Sequence, residues 1–321
     1  MLLQDESMQR QQHRNYFSVF FQQPSIEIVP SPMPFFYRNR VSLRPDNDGI
    51  LGYYKNKSHT HVTIDHCSIA HPRINDVLHS LSPLPFPAKQ VEFRTDGTRV
   101  LANVRSQKGR RPTKQRLRKW AEPILDGIGL DGTKMWGEQY CHFTVAEVEH
   151  SLSLGTFFQV NPAVNAAMVQ RICNVVESHA PTKVLDLYSG AGNIAFALAH
   201  RGIPVVMIER AGSSIQDAKN TAKRTDLPVE IRQADADRFQ AGDSFFDVAV
   251  LDPPRKGAAG VLSELSLTRP KCIVYVSCNP YALQKDLKEA ARVGYAVKKM
   301  TMFEMFPQTK HVEMVVELTP T

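Results

Sequence analysis

At 321 residues, 42% of them hydrophobic and 22% charged, the chain has an ordinary globular composition, which excludes fibrous and disordered classes; its length suits two domains, because single cores stop growing at roughly 250 to 300 residues. Five scattered cysteines without a CxxC pair argue against a disulfide framework. The N-terminus is too polar for a signal peptide, and nowhere do about 18 apolar residues run together, so a cytoplasmic monomer outside the membrane is expected. The net charge of +7 sits mostly in the first half, where residues 1–150 hold 20 Lys/Arg against 15 Asp/Glu.

In chain order, residues 1–29 read as a polar, Gln-rich short helix or arm, with a faint helical pattern in HRNYFSVFF. From residue 30 to 150 short alternating segments such as YRNRVSLR, HVTIDH and QVEFRTD, punctuated by Asp-Asn-Asp-Gly and Pro-rich turns, predict a β-rich domain with one helix, INDVLHSL. Within it RSQKGRRPTKQRLRKW (105–120) carries eight basic and no acidic residues. That run is either a solvated loop or a surface that tracks phosphates. From 151 to 321 strand and helix alternate: KVLDLY, NIAFALAHR, PVVMIE, SIQDAKNTAKR, VEIRQ, FFDVAVLD, AGVLSELS, CIVYVS and YALQKDLKEAARV. These predict an α/β domain with a mostly parallel, Rossmann-like sheet, which AVKKMTMFEMF and HVEMVVEL close as an antiparallel hairpin.

Several stretches carry chemistry. LDLYSGAGN runs a strand into a Gly-rich turn, where Gly190 lets backbone approach a nucleotide-type ligand and the following helix start adds positive charge. Glu209, about 20 residues on, either grips ribose hydroxyls or stands in solvent, while Asp235 and Asp237 after the third strand either meet an adenine amino group or sit in solvent. In LDPPRKG two prolines fix a rigid loop behind Asp252. Cys278 ends the fifth strand, at the edge where ligands meet such sheets, and a helix beginning at Pro280 is expected to lower its thiol pKa. Glu313 opens the last strand, with Lys310 and His311 close by, as a base or an exposed hairpin acid.

Taken in order, GTFFQVN, LDLYSGAGN, LDPPRKG, VYVSCNP and MFPQTKHVE resemble the RNA 5-methyluridine methyltransferase family, from about residue 10 to the C-terminus. The resemblance implies a class I methyltransferase domain that uses S-adenosylmethionine to methylate uridine in rRNA or tRNA. It assigns Cys278 as nucleophile and Glu313 as base, and gives Gln159, Tyr188, Glu209 and Asp252 to the cofactor, with Gly190 and Asp235 beside them. RNA contact then falls to the β-rich domain, through Arg105, Arg110, Arg111, Lys114 and Arg116.

Many relatives hold a 4Fe–4S cluster. Here Glu6 and Gln9 stand where cysteines should precede Gln12 and His13, and Cys67 alone matches the fourth ligand, so no cluster is predicted. His59, His61, His66 and His71 around Cys67 are read as exposed histidines of an alternating strand, not as a metal set. A cytosine-5 enzyme commonly has a cysteine in the strand-four loop, and DPPRKG has none. A non-catalytic RNA-binding relative would not need Asp252, Cys278 and Glu313 together.

Overall fold

The computed structural model describes residues 6–23, 26–55, 58–242, 245–309 and 311–321, with helix side chains from residue 10 onward. Helix α1 (Glu6–Phe21) and strand β1 (Glu27–Val29) lead into the β-rich region. There follow β2 (Arg40–Pro45), β3 (Leu51–Tyr54), β4 (His61–Thr63), α2 (Pro72–Ser80), β5 (Gln90–Thr95), β6 (Val100–Arg105), α3 (Lys114–Ala121), β7 (Gly127–Leu130), β8 (Thr133–Gly137), β9 (Tyr140–Val145) and β10 (Val148–Ser153). The alternating half comprises α4 (Pro162–Ser178), β11 (Val184–Leu187), α5 (Ala195–His200), β12 (Val205–Glu209), α6 (Gly212–Thr225), β13 (Val229–Gln233) and a 3-10 turn (Ala236–Arg238). It continues through β14 (Val248–Leu251), α7 (Val261–Leu267), β15 (Cys272–Ser277), α8 (Pro280–Arg292), β16 (Tyr295–Phe303) and β17 (Glu313–Pro320).

These elements form two units. One takes residues up to Pro32, Val145–Val148 and Ala163–Thr321; the other takes Met33–Thr144 and Glu149–Pro162. The boundary expected at 150 falls instead near 162, because FFQVN belongs with the β-rich unit. There Arg94 donates to the carbonyls of Ser153 (3.1 Å) and Thr156, and Asn39 Nδ2 to that of Gln159 (3.2 Å). In this unit β4-β3-β2-β5-β6-β7-β8 make one sheet, antiparallel except for β6 and β7. Val91 and Phe93 alternate into its core, each contributing about 1.5–3 kcal/mol by burial, and α2 covers it with Ile74, Val77 and Leu78. The basic run is part helix: Thr113 caps α3 by accepting from Arg116 N (3.3 Å), and Leu117, Trp120 and Ala121 are buried at helical spacing.

The other unit is built on an eight-stranded sheet in the order β1-β16-β17-β15-β14-β11-β12-β13. Its central strands β11, β14 and β15 are buried along their whole length, as strands with covered faces must be. β17 lies antiparallel between β16 and β15, which is the expected hairpin. The helix expected near the N-terminus is present as α1, and it packs into this unit rather than standing apart as an arm. Phe17 and Phe21, four apart on α1, are 6% and 8% exposed within this unit's core, and β1 adds a parallel strand beside β16, Glu27 opposite Thr301. Among the described residues no helix is long and apolar enough to cross a membrane.

Candidate active site

Topology places the site. β11 has β12 on one side and β14 on the other, so strand order reverses between β11 and β14, where a crevice opens beyond the carboxyl ends. Four carboxyl ends carry expected residues: Tyr188 and Gly190 after β11, Glu209 closing β12, Asp252 after β14, and Cys278 after β15. Glu313 reaches the same edge for the opposite reason. Because β17 is antiparallel, its first residue lies there; Ser277 pairs with Met314, and one further step of that register sets Cys278 opposite Glu313.

The turn after β11 needs its glycines unequally. Tyr188 (φ 60°), Gly190 (φ 57°) and Gly192 (φ 85°) are all left-handed. A Cβ at Gly192 would stand 2.4 Å from the Phe196 ring, whereas one at Gly190 would meet nothing within 4 Å. α5 begins at Ala195, two residues later than the sequence suggests, so the turn itself faces the crevice rather than a helix end. Glu209 clasps that turn: its carboxylate accepts from Gly190 N at 3.0 Å and from Ala211 N at 2.6 Å. Tyr188 donates to Asp237 Oδ1 at 2.8 Å, and burial together with this bond pushes its phenol pKa up. Burial alone would raise the Asp237 carboxyl too, but bonds from Lys256 and Tyr188 outweigh it and hold it below the ordinary value. Asp235 caps the 3-10 turn by accepting from Asp237 N at 3.1 Å, so Asp237 is the one of the two that meets Tyr188.

Electrostatics dominate the edge. Burial raises the half-buried Cys278 thiol, Glu313 and Asp252 raise it further, and Arg255 opposes them. The lowering expected from α8 is thus overturned: a helix terminus is outweighed by desolvation and two carboxyls. Burial pushes Asp252 up to about 7. Glu313 is raised well above its ordinary range by burial and then by Asp252, against the pull of Arg255. Asp186, wholly buried in β11, is raised by burial and by Asp252, with the Ala195 amide favouring its ionised form. Neither Asp186 oxygen, nor the buried Ser189 hydroxyl, makes a hydrogen bond of ordinary geometry. An edge with four interacting carboxyls, an unfilled buried hydroxyl and open space at Gly190 fits a cationic ligand with polar groups of its own.

Asn279 and Arg255 lock the loops together. Asn279 Nδ2 donates to the Arg255 carbonyl at 2.8 Å, tying the loop after β14 to the loop after β15, and Arg255 Nη2 donates to His311 Nδ1 at 2.9 Å. Asn279 had a legible signal, as an N-cap directly before the proline that starts α8. Lys310 lies outside the described residues. Asn165 and Asn193 exchange amide bonds at 2.9 Å beneath the Gly-rich turn.

Other expected residues stand elsewhere. Gln159 belongs to the β-rich unit and is buried there. Arg105, Arg110, Arg111, Lys114 and Arg116 are all exposed in that unit; Arg111 lies 3.5 Å from Asp131, and Arg116 donates to the Pro85 carbonyl. The histidines near Cys67 have separate tasks: His61 bonds the Arg44 carbonyl at 2.9 Å and His71 caps α2, while His59 and His66 are exposed. Only His61 lies on a strand. His179, Cys272 and Glu317 bring a nitrogen, a sulfur and an oxygen within 4.8 Å at the far end of β15. Glu317 already accepts there from His179 (3.1 Å) and Lys298 (2.9 Å), so the cluster is an ion-paired group.

Residues 230–320 match the tRNA (Uracil-5-)-methyltransferase family, and residues 184–254 a general methyltransferase domain. The 23S rRNA (uracil(1939)-C(5))-methyltransferase RlmD of Vibrio cholerae is 32% identical over 82% of this chain, which spans 63% of that protein. An uncharacterized RNA methyltransferase of Thermosynechococcus vestitus is 29% identical over 92% of this chain and 74% of its own length. Among solved structures, the Pyrococcus abyssi tRNA (uracil-54, C5)-methyltransferase in complex with S-adenosyl-L-homocysteine is similar with a TM-score of 0.78 and 26% identity, covering 95% of this chain and 81% of that one. Family model, curated relative and solved structure agree, and the chain belongs to the RNA 5-methyluridine methyltransferase family of class I, S-adenosylmethionine-dependent enzymes.

Proposed function

We propose that this protein methylates carbon 5 of a uridine in rRNA or tRNA through a covalent adduct between Cys278 and carbon 6. The observation that carries the reading is the convergence of Cys278, Asp252 and Glu313 on one sheet edge, where each alters the ionisation of another. Tyr188, Gly190, Glu209, Asp235 and Asp252 border the crevice expected to hold the cofactor, and the FFQVN motif supports a cofactor role for Gln159 as well. S-adenosylmethionine supplies a methyl group bound to a sulfonium, and its positive charge suits the carboxyl-rich edge.

The chain's own residues do the rest. Carbon 5 of uracil is a poor nucleophile, so the Cys278 thiolate adds to carbon 6 and pushes the ring electrons into an enolate that is nucleophilic at carbon 5. After methylation Glu313 removes the carbon-5 proton, the 5,6 double bond re-forms and Cys278 Sγ leaves as thiolate. Arg255 favours the ionised form of both the nucleophile and the base.

Incubation with S-adenosylmethionine and 5-fluorouridine-substituted tRNA and rRNA transcripts tests the reading, because fluorine blocks the base step. The wild type forms an adduct that survives a denaturing gel and Cys278→Ala does not; an adduct with the alanine variant removes Cys278 as nucleophile. On unsubstituted RNA, Glu313→Gln accumulates the methylated adduct, and its turnover falls about 10²- to 10⁴-fold.

A further inference from the structure

α1 uses less of its apolar surface for the core than it owns. Phe17 and Phe21 are buried, but Tyr16 and Val19 on the neighbouring face are 52% and 79% exposed. Tyr281, in the first turn of α8, is 64% exposed beside them. Phe20 meets Tyr281 edge-on at 5.3 Å and stacks on Tyr16 at 5.9 Å with 19° between the rings. Gln284 of α8 fixes this arrangement by donating to the Phe20 carbonyl at 3.0 Å. The rings therefore form a fixed step in which Tyr281 and Tyr16 present surface to solvent.

Place and charge identify the occupant. Tyr281 follows Cys278 by three residues, which span at most about 11 Å of chain, so the platform and the nucleophile lie at the same end of α8. Lys285 and Lys288, four and seven residues along α8, are exposed on the same side as Tyr281, and Arg14 is exposed on α1. Aromatic faces bordered by cations match a nucleic-acid strand, whose bases stack while its phosphates meet the lysines. A uridine that reaches Cys278 has left its stack, and its neighbour in the strand has lost a stacking partner.

We infer that Tyr281, backed by Phe20 and Tyr16, is the stacking platform for a nucleobase adjacent to the methylated uridine. The inference rests on the uridine-methylation reading. α1 thereby contributes to RNA binding.

The test uses the full chain and the tRNA or rRNA transcript it binds most tightly, with affinity measured by fluorescence anisotropy. Tyr281→Ala and Tyr281→Leu weaken binding about 5- to 150-fold, the range of one lost base stack, while Tyr281→Phe and Tyr281→Trp keep it. Thermal midpoints stay unchanged because the side chain is mostly exposed. Equal affinity in the alanine variant overturns the inference, and so does a wild-type dimer that only Tyr281→Ala dissociates with RNA affinity intact, which would make the step a self-contact. Failure of the wild type to trap fluorinated RNA counts against uridine methylation instead, since the affinity comparison needs no chemistry.

Discussion

Asp252 shows how one side chain couples stability to chemistry. Its carboxyl is raised to about 7 by burial, so between about pH 4 and 7 the folded protein holds a proton that the unfolded chain has released. The folded state binds more protons in that window, hence stability falls as pH rises through it and levels above about 7. Asp252→Asn removes this dependence. Without ligand, the variant's thermal midpoint at pH 8 exceeds the wild type's by roughly 3 °C, the size of about 1 kcal/mol in a domain of this length, and at pH 4 the two coincide. The same substitution takes one negative charge from beside Cys278, so the pH of half-maximal alkylation by iodoacetamide drops by up to about 1 unit. The sequence revealed Cys278, Asp252 and Glu313 because each sits in a short motif at a strand end. It misjudged the thiol's ionisation, because only the α8 terminus is local; Asp252 and Glu313 come from two other strands, and their distance from the sulfur is set by the register of β17.

The turn after β11 shows what an element demands beyond its motif. Gly190 and Gly192 are two residues apart with similar backbone angles, yet only Gly192 has a neighbour in its way. Gly192→Ala forces the Phe196 ring aside and lowers stability by about 1–3 kcal/mol. Gly190→Ala costs about 1–2 kcal/mol of backbone strain, folds, and loses affinity for S-adenosylmethionine, because its methyl enters the open space of the crevice. Calorimetry on the two variants separates fold from binding. The strands and helices of this half were readable because runs such as CIVYVS and amphipathic helices alternate at short intervals. α3 escaped, since six of the residues from 113 to 119 are polar or basic and conceal the apolar stripe of Leu117, Trp120 and Ala121. β1 escaped for a different reason: three residues carry no periodicity, and the partner that defines it, β16, is far away in the chain.

For the whole molecule, the uneven charge has a measurable consequence. Arg110 and Arg111 are exposed on the β-rich unit, Arg111 beside Asp131. If they meet phosphates, Arg110→Gln with Arg111→Gln lowers RNA affinity whatever the sequence, and makes the slope of log affinity against log salt shallower by about 1.5. An unchanged slope makes the run a solvated surface. The placement of β1 matters before any of this happens. Its parallel partner β16 is made about 270 residues later, which at roughly 5–20 residues per second keeps α1 and β1 waiting on the ribosome for roughly 13–50 s. During that interval Phe17, Phe20 and Phe21 have no core to enter. The growing chain is thus exposed to aggregation around α1 and β1, and that segment is protected only when the hairpin of β16 and β17 emerges.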